Sequence, residues 1–373
     1  RRDALRNWTL LLGVTGFALS MVGTFIVRSG LLTSVHAFAV DPLRGLFLIG
    51  LIILYVGGAL GIYGWKAASV APGAGFRLLS REGALVANNL LLVTMLAVIF
   101  IGTLYPMALA GLTGQQISVG PPYFNRALTP LLLVMAVLMA VGPWLGWRQS
   151  RTAHLPRVLA PAAAAAALGA AIALFGFGVR SIPALLGFGA AAWLMAGSAE
   201  LVFRRGLTLA TLGMALAHFG VGVAMLGATA SSALSREQLV VMRVGDRVAF
   251  GPWAVELSDV RPVAGPNWTA IEARIAFHGA GGRVAHVAPQ SRTYTMPPTE
   301  TTKAGIAPLW NGDLYAVLGK ADGQGGWQVN LRFKPLVRLI WLGGGLIALG
   351  GVVALGNARR LRRASARAAP AAA

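Results

Sequence analysis

The chain contains no cysteine, and only 12 of its 373 residues are acidic against 32 that are basic. Without a thiol it can form no disulfide, offer no thiolate to a metal and run no thiol chemistry of its own. Any thiol it acts on therefore belongs to a partner. Charged residues of both signs make up 12% of the sequence, where a soluble domain carries roughly a quarter, and this excludes an ordinary soluble protein. The chain opens RRDALRNW, with neither an initiator methionine nor a signal-peptide pattern, so a piece of a longer protein is expected. P-loop, zinc-ligand and Ser-His-Asp patterns are missing, as is any usable internal repeat.

What is present is apolar: 56% hydrophobic residues and a mean hydropathy of +0.68. Eight runs are long enough to cross a hydrocarbon core of ~30 Å, near 8–27, 45–65, 84–105, 127–147, 157–177, 183–203, 207–230 and 336–356. The expected fold class is an α-helical polytopic membrane protein of about eight transmembrane helices with a small all-β domain inserted. Residues 1–230 form a bundle of seven spans, 231–335 the β domain, 336–357 the last span and 358–373 a basic tail expected to be disordered on anionic headgroups.

The formal charge of +20 raises the possibility of a nucleic-acid partner, and its placement removes it. Half of the basic residues, among them Arg1, Arg2, Arg6, Lys66, Arg77, Arg81, Arg148, Arg151, Arg157, Arg204, Arg205 and the tail arginines, fall in loops on one side of the membrane. The short loops opposite hold only Arg28, Arg44, Arg126 and Arg180. By the positive-inside rule both termini are cytoplasmic, and the long loop 231–335 lies across the membrane. That loop carries 11 basic and 8 acidic residues, so it is nearly balanced. The basicity orients the chain and is no nucleic-acid footprint.

Between 231 and 335 the hydrophobic period changes from helical to two. Trp327, Val329, Leu331 and Phe333 alternate with Gln328, Asn330, Arg332 and Lys334, and Ile271, Ala273, Ile275 and Phe277 oppose Glu272 and Arg274. Gly-rich turns at 279–282 and 322–326 separate such runs, predicting a small antiparallel β barrel or sandwich.

Two histidines stand out. His36 lies on an apolar ledge (Leu31, Leu32, Val35, Phe38, Val40) between the first two spans, and His218 lies about midway along the seventh, flanked by Gly213, Ala215, Ala217, Gly220 and Gly222. Neutral imidazole is a haem ligand, and an ionisable group within a bilayer is a functional hypothesis by default. The plain alternatives are a helix-end histidine at 36 and a packing histidine at 218. His154, His278 and His286 read as loop or surface residues. Glu200 is expected to pair with Arg204 or Arg205, and Asn88 and Asn89 to hydrogen-bond between helices.

The blocks NWTLLLGVTGFALSMVGTFIVRSGLLTSVHAFAVDPLRG, SREGALVANNLLLVTMLAVIFIGTLYP, ISVGPPYFN, AHFGVGV, SRTYTMPPTET and LRFKPLVRLIWLGGGLIALGG resemble the CcmF family of cytochrome c haem-lyase subunits, haem-handling membrane proteins. The resemblance implies a bacterial inner-membrane location with the β domain periplasmic. It implies that His36 ligates the substrate haem at the periplasmic face and takes part in catalysis, and that His218 is an axial ligand of a resident transmembrane haem b. The implied activity is cytochrome c haem lyase (holocytochrome c synthase): thioether attachment of haem to the Cys-x-x-Cys-His motif of apocytochrome c. Implied partners are a haem chaperone, apocytochrome-delivery subunits, apocytochrome c and quinol as electron source. The family's Trp-rich segment and the second histidine of each pair are missing from this sequence, so the piece alone is expected to be inactive. A non-catalytic haem-export or assembly scaffold, and a paralogue serving a nitrite-reductase cytochrome, are the alternative functions. The β domain is expected to dock partners, with SRTYTMPPTET as a Pro-rich polar contact segment.

Overall fold

The computed structural model describes residues 6–28, 42–69, 77–115, 117–150, 152–295 and 298–368. Eight membrane-length apolar helical spans occur among them, each overlapping a predicted run. The chain folds as two compact units, one running to His154 and the other from Leu155.

The first unit contains α1 (Arg6–Arg28), a span made of α2 (Pro42–Ile52) and α3 (Gly58–Lys66) joined by the π-helical segment Ile53–Gly57, then α4 (Arg81–Thr113) and α5 (Pro121–Val141). Ser80 caps α4 by accepting a hydrogen bond from the Gly83 amide at 3.0 Å, and Gly114 ends it at φ +72°, each supplying what an exposed helix end needs. The start of α4 is stapled to the segment that follows α5. The Arg81 amide donates to the Gly146 carbonyl (2.8 Å), the Arg77 amide to the Arg148 carbonyl (2.9 Å), and the Arg148 amide to the buried Glu82 carboxylate (2.8 Å). Helix α5 begins at Pro121, earlier than the predicted 127, because proline suits the first helical position.

The second unit opens with α6 (Leu155–Ala171), continued by a π-helical segment Ile172–Gly176, then α7 (Ile182–Arg205) and α8 (Leu209–Ala233). After the β domain it closes with α9 (Arg338–Ala368). The tail expected to be disordered from 358 instead continues α9 to Ala368. Alanine and arginine are strong helix formers, and an established helix needs only propagation.

Among the described residues the β domain has ten antiparallel strands: β1 (Arg236–Met242), β2 (Arg247–Phe250), β3 (Trp253–Ala264), β4 (Trp268–His278), β5 (Val284–Val287), β6 (Gln290–Thr295), β7 (Pro298–Lys303), β8 (Gly305–Leu309), β9 (Gly312–Ala321) and β10 (Trp327–Pro335). One sheet has the order β1-β10-β9-β8. The other runs β2-β3-β4-β6-β7, with β5 also paired to β4. The two sheets share one core containing Met242, Val255, Leu257, Ile275, Phe277, Leu314, Leu318, Val329 and Leu331. In the predicted alternation, Val329 and Leu331 lie within that core and Trp327 and Phe333 pack against it. Gln328 and Arg332 face away, as period two requires. The segment expected as a Pro-rich contact forms the β6–β7 hairpin, with Ser291 opposite Thr302 and Thr293 opposite Glu300.

Candidate functional site

Helix α8 carries the mid-span histidine. Its first turn is capped by Thr208, whose hydroxyl accepts from the Thr211 amide at 3.2 Å. Helix α9 approaches along Gly213, Gly220 and Gly227. A Cβ on Gly220 would lie 2.7 Å from the Gly343 carbonyl oxygen, and one on Gly227 2.8 Å from the Ile340 nitrogen. From the α9 side the same seam closes at Gly343 and Gly350, where a Cβ would come within 2.5 Å and 2.6 Å of the Gly220 and Gly213 carbonyls. Helix α7 meets α8 at Gly222, whose added Cβ would lie 2.8 Å from Met195 Cγ and 3.1 Å from the Ala191 oxygen.

These contacts orient His218. At about 100° per residue it lies roughly 200° around α8 from Gly220 and roughly 40° from Gly222. It is therefore on the side away from α9 and at the margin of the α7 contact, on the stripe shared with Met214, Val221 and Met225. The side chain is half-buried. No described residue hydrogen-bonds the His218 imidazole. An imidazole that no described residue hydrogen-bonds, on a stripe with apolar Met214, Val221 and Met225, fits one ligand of a haem iron. The described residues contain no cluster of three metal-ligating side chains.

His36 and its apolar ledge lie outside the described residues. Arg28, at the end of α1, and Arg44, in α2, bracket that segment and are exposed. His154 and His286 are exposed, as expected of loop and surface residues. His278 closes β4, with Nε2 3.2 Å from the Glu256 carboxylate that also pairs with Arg247 at 2.8 Å. Glu200 pairs with Arg204 within α7. Asn88 and Asn89 are half-buried on α4, and neither hydrogen-bonds a described residue.

Sequence reading missed a polar network on the β domain. Arg292 stacks 4.0 Å over the Trp268 ring, donates from Nε to Gln290 Oε1 (2.7 Å) and from Nη1 to the Tyr294 hydroxyl (3.3 Å). Gln290 in turn donates to Glu272 (2.6 Å), which also accepts from Arg261 at 2.8 Å. The hydrogen bonds from Arg261 and then Gln290 hold the Glu272 carboxyl below the ordinary carboxylate range. These residues meet through the pairing of β4 with β6, where Trp268 faces Tyr294 and Glu272 faces Gln290, and of β3 with β4, where Arg261 faces Glu272, registers that periodicity does not specify. The network braces the strand bearing Tyr294.

A polytopic helical membrane protein bearing a two-sheet β domain is thus the class that fold and site define. A profile described as the CcmF C-terminal beta-sandwich matches residues 233–335. The cytochrome c-type biogenesis protein CycK of Rhizobium meliloti is 37% identical over 97% of this chain and 56% of its own length. CcmF of Pseudomonas aeruginosa is 38% identical over 95% of this chain and 56% of its own. A solved structure, a cytochrome c haem lyase CcmF, superposes with a TM-score of 0.71 at 23% identity, covering 95% of this chain and 55% of that one, which supports the fold. The chain belongs to the CcmF family of cytochrome c-type biogenesis proteins, and it spans about half the length of the relatives it matches.

Proposed function

We propose that this chain is part of a membrane haem lyase of cytochrome c maturation, holding haem at the periplasmic membrane face while an apocytochrome is joined to it. The observation that carries the reading is the mid-span imidazole of His218, which no described residue hydrogen-bonds, set on the face of α8 that the glycine seam with α9 leaves clear. Family membership supports it further, through relatives described as cytochrome c-type biogenesis proteins.

In this reading His218 would hold a resident haem b through its imidazole, and the haem would supply electron transfer that keeps the incoming haem iron reduced. The chain's own work there is to hold a neutral imidazole at fixed depth, which the close packing of α8 against α7 and α9 supports. His36 ligates the iron of the substrate haem at the membrane surface. Fixing the iron fixes the porphyrin, so that each vinyl group meets its thiol in one orientation, a proximity effect. Each thioether forms by addition of a cysteine S–H across a vinyl C=C, the hydrogen passing to the neighbouring carbon, without net oxidation. A chain lacking cysteine cannot compete for the vinyl groups itself. The β domain docks the partner through its braced β6–β7 hairpin, and haem chaperone and apocytochrome-delivery subunits complete the complex.

The deciding experiment compares His36→Ala and His218→Ala in the full-length protein containing this chain, with holocytochrome yield and co-purifying b-type spectrum as readouts. His36→Ala is expected to abolish maturation and leave the resident spectrum. His218→Ala is expected to abolish that spectrum. Normal maturation by a stably produced His36→Ala protein overturns the lyase reading of His36, and an unchanged spectrum in His218→Ala makes His218 a packing residue.

A further inference from the structure

The turn between β8 and β9 has only two residues, Trp310 and Asn311, with Leu309 paired to Gly312 across it. Trp310 at its tip is 85% exposed. A single exposed apolar side chain is ordinary on a protein surface, so the location of this one decides its meaning. The amide of Leu336 donates to the Asn311 carbonyl at 3.0 Å, and Arg338 Nε donates to Asp313 Oδ1 at 2.9 Å. Gly312 lies so close to the returning chain that a Cβ there would be 2.6 Å from the Lys334 oxygen. The turn is therefore tied to residues 334–338, where the chain leaves β10 and starts α9.

That junction marks the level at which the helices end. Leu336 packs with Val179, Phe188 and Ala230, residues near the ends of α6, α7 and α8 on the β-domain side. Around this level the bundle presents apolar side chains outward: Phe177, Ile182 and, one turn into α9, Trp341. An indole held there has an apolar body for the acyl boundary and an N–H for phosphate or carbonyl oxygens, the chemistry that concentrates tryptophan at membrane interfaces.

We propose that the Trp310–Asn311 turn is a lipid anchor, inserting the indole among the headgroups of the leaflet beneath the β domain. The partner is the phospholipid surface itself, favoured over a protein because the turn is hydrogen-bonded to the chain where it enters the bilayer. Two membrane helices, α8 and α9, tether the domain, and the indole adds a third fixed point that resists rocking about them.

The absence of cysteine makes the test direct. Asn311→Cys, spin-labelled in the full chain in phosphatidylethanolamine–phosphatidylglycerol nanodiscs, keeps Trp310 in place and reports the depth of the turn. Collision with oxygen is expected to exceed collision with a water-soluble nickel complex, by a ratio several-fold above that of a label at Gln324→Cys, in the turn at the other end of β9. Adding Trp310→Gln is expected to move the Asn311 label toward water. A label at 311 as nickel-accessible as that at 324, a label shielded from both reagents, or a depth indifferent to Trp310→Gln would each overturn the anchor. The first would mean solvent, the second a protein cover, and the third that the tether alone sets the height.

Discussion

A histidine within a bilayer must be justified by what it binds, because its ring nitrogens lose water there. His218 has no hydrogen-bond partner among the described residues, and the small residues around it serve helix contacts on other faces of α8. Replacing it with glutamine, which cannot hold haem iron in its place but is of similar size, is expected to remove the b-type spectrum while protein yield stays within about twofold of the parent. A b-type spectrum retained by His218→Gln would place the haem ligand elsewhere. The identities of His36 and His218 were legible in the linear sequence, because rarity and apolar context mark them. The orientation of His218 was not, since it depends on which neighbour each face of α8 meets.

Among the described elements, α8 and α9 meet in a close seam. Its glycines permit backbone approach that side chains would prevent, as in close-packed membrane helices. Gly220→Val is expected to destabilise the helix pair by about 1–3 kcal/mol, the usual range for overpacking, measured as a shift in the unfolding transition in mild detergent. Gly344→Val, where an added Cβ meets nothing within 4 Å, is the control expected to leave it unchanged. In the β domain, Leu331 is fully buried on β10, and Leu331→Ala is expected to cost about 2–5 kcal/mol.

The β domain also has a pH signature at this scale. Hydrogen bonds from Arg261 and Gln290 depress Glu272, those from Asn330 and Arg332 depress Glu237, and the amides of Gln324 and Gly326 depress Asp322. The unfolded chain binds these protons more readily than the folded one. Their stabilisation is therefore full above the ordinary carboxylate range and is lost as pH falls through that range to the depressed folded values. The domain's thermal midpoint is expected to fall between about pH 5 and pH 3, and less steeply in Glu272→Gln. A midpoint flat across that window would show that these pairs contribute nothing to stability, as exposed pairs often do.

For the whole molecule, the placement of arginine and lysine predicts the orientation in the membrane. Single cysteines at Gln324 and Arg360, introduced into the cysteine-free chain, are expected to differ in labelling by an impermeant maleimide added to intact cells whose outer membrane has been opened. Gln324→Cys reacts and Arg360→Cys does so only after lysis. The reverse pattern would invert the topology and with it the proposed periplasmic role of His36.

The sequence by itself determined the eight spans and the change to period two between 231 and 335, and it singled out His36 and His218 as candidates. Each rests on local chemistry: hydrocarbon thickness, strand alternation, and the cost of a polar ring in lipid. Only the tertiary structure decided which faces of α8 are closed by glycine contacts, and that Arg292 bridges Trp268, Gln290 and Tyr294 across a strand pair. It alone carried helix α9 past the membrane-length segment to Ala368 and brought the Trp310 turn to the level of the helix ends. These depend on register and on the pairing of residues distant in the chain, and composition and periodicity are the same for every register that keeps the apolar face inside.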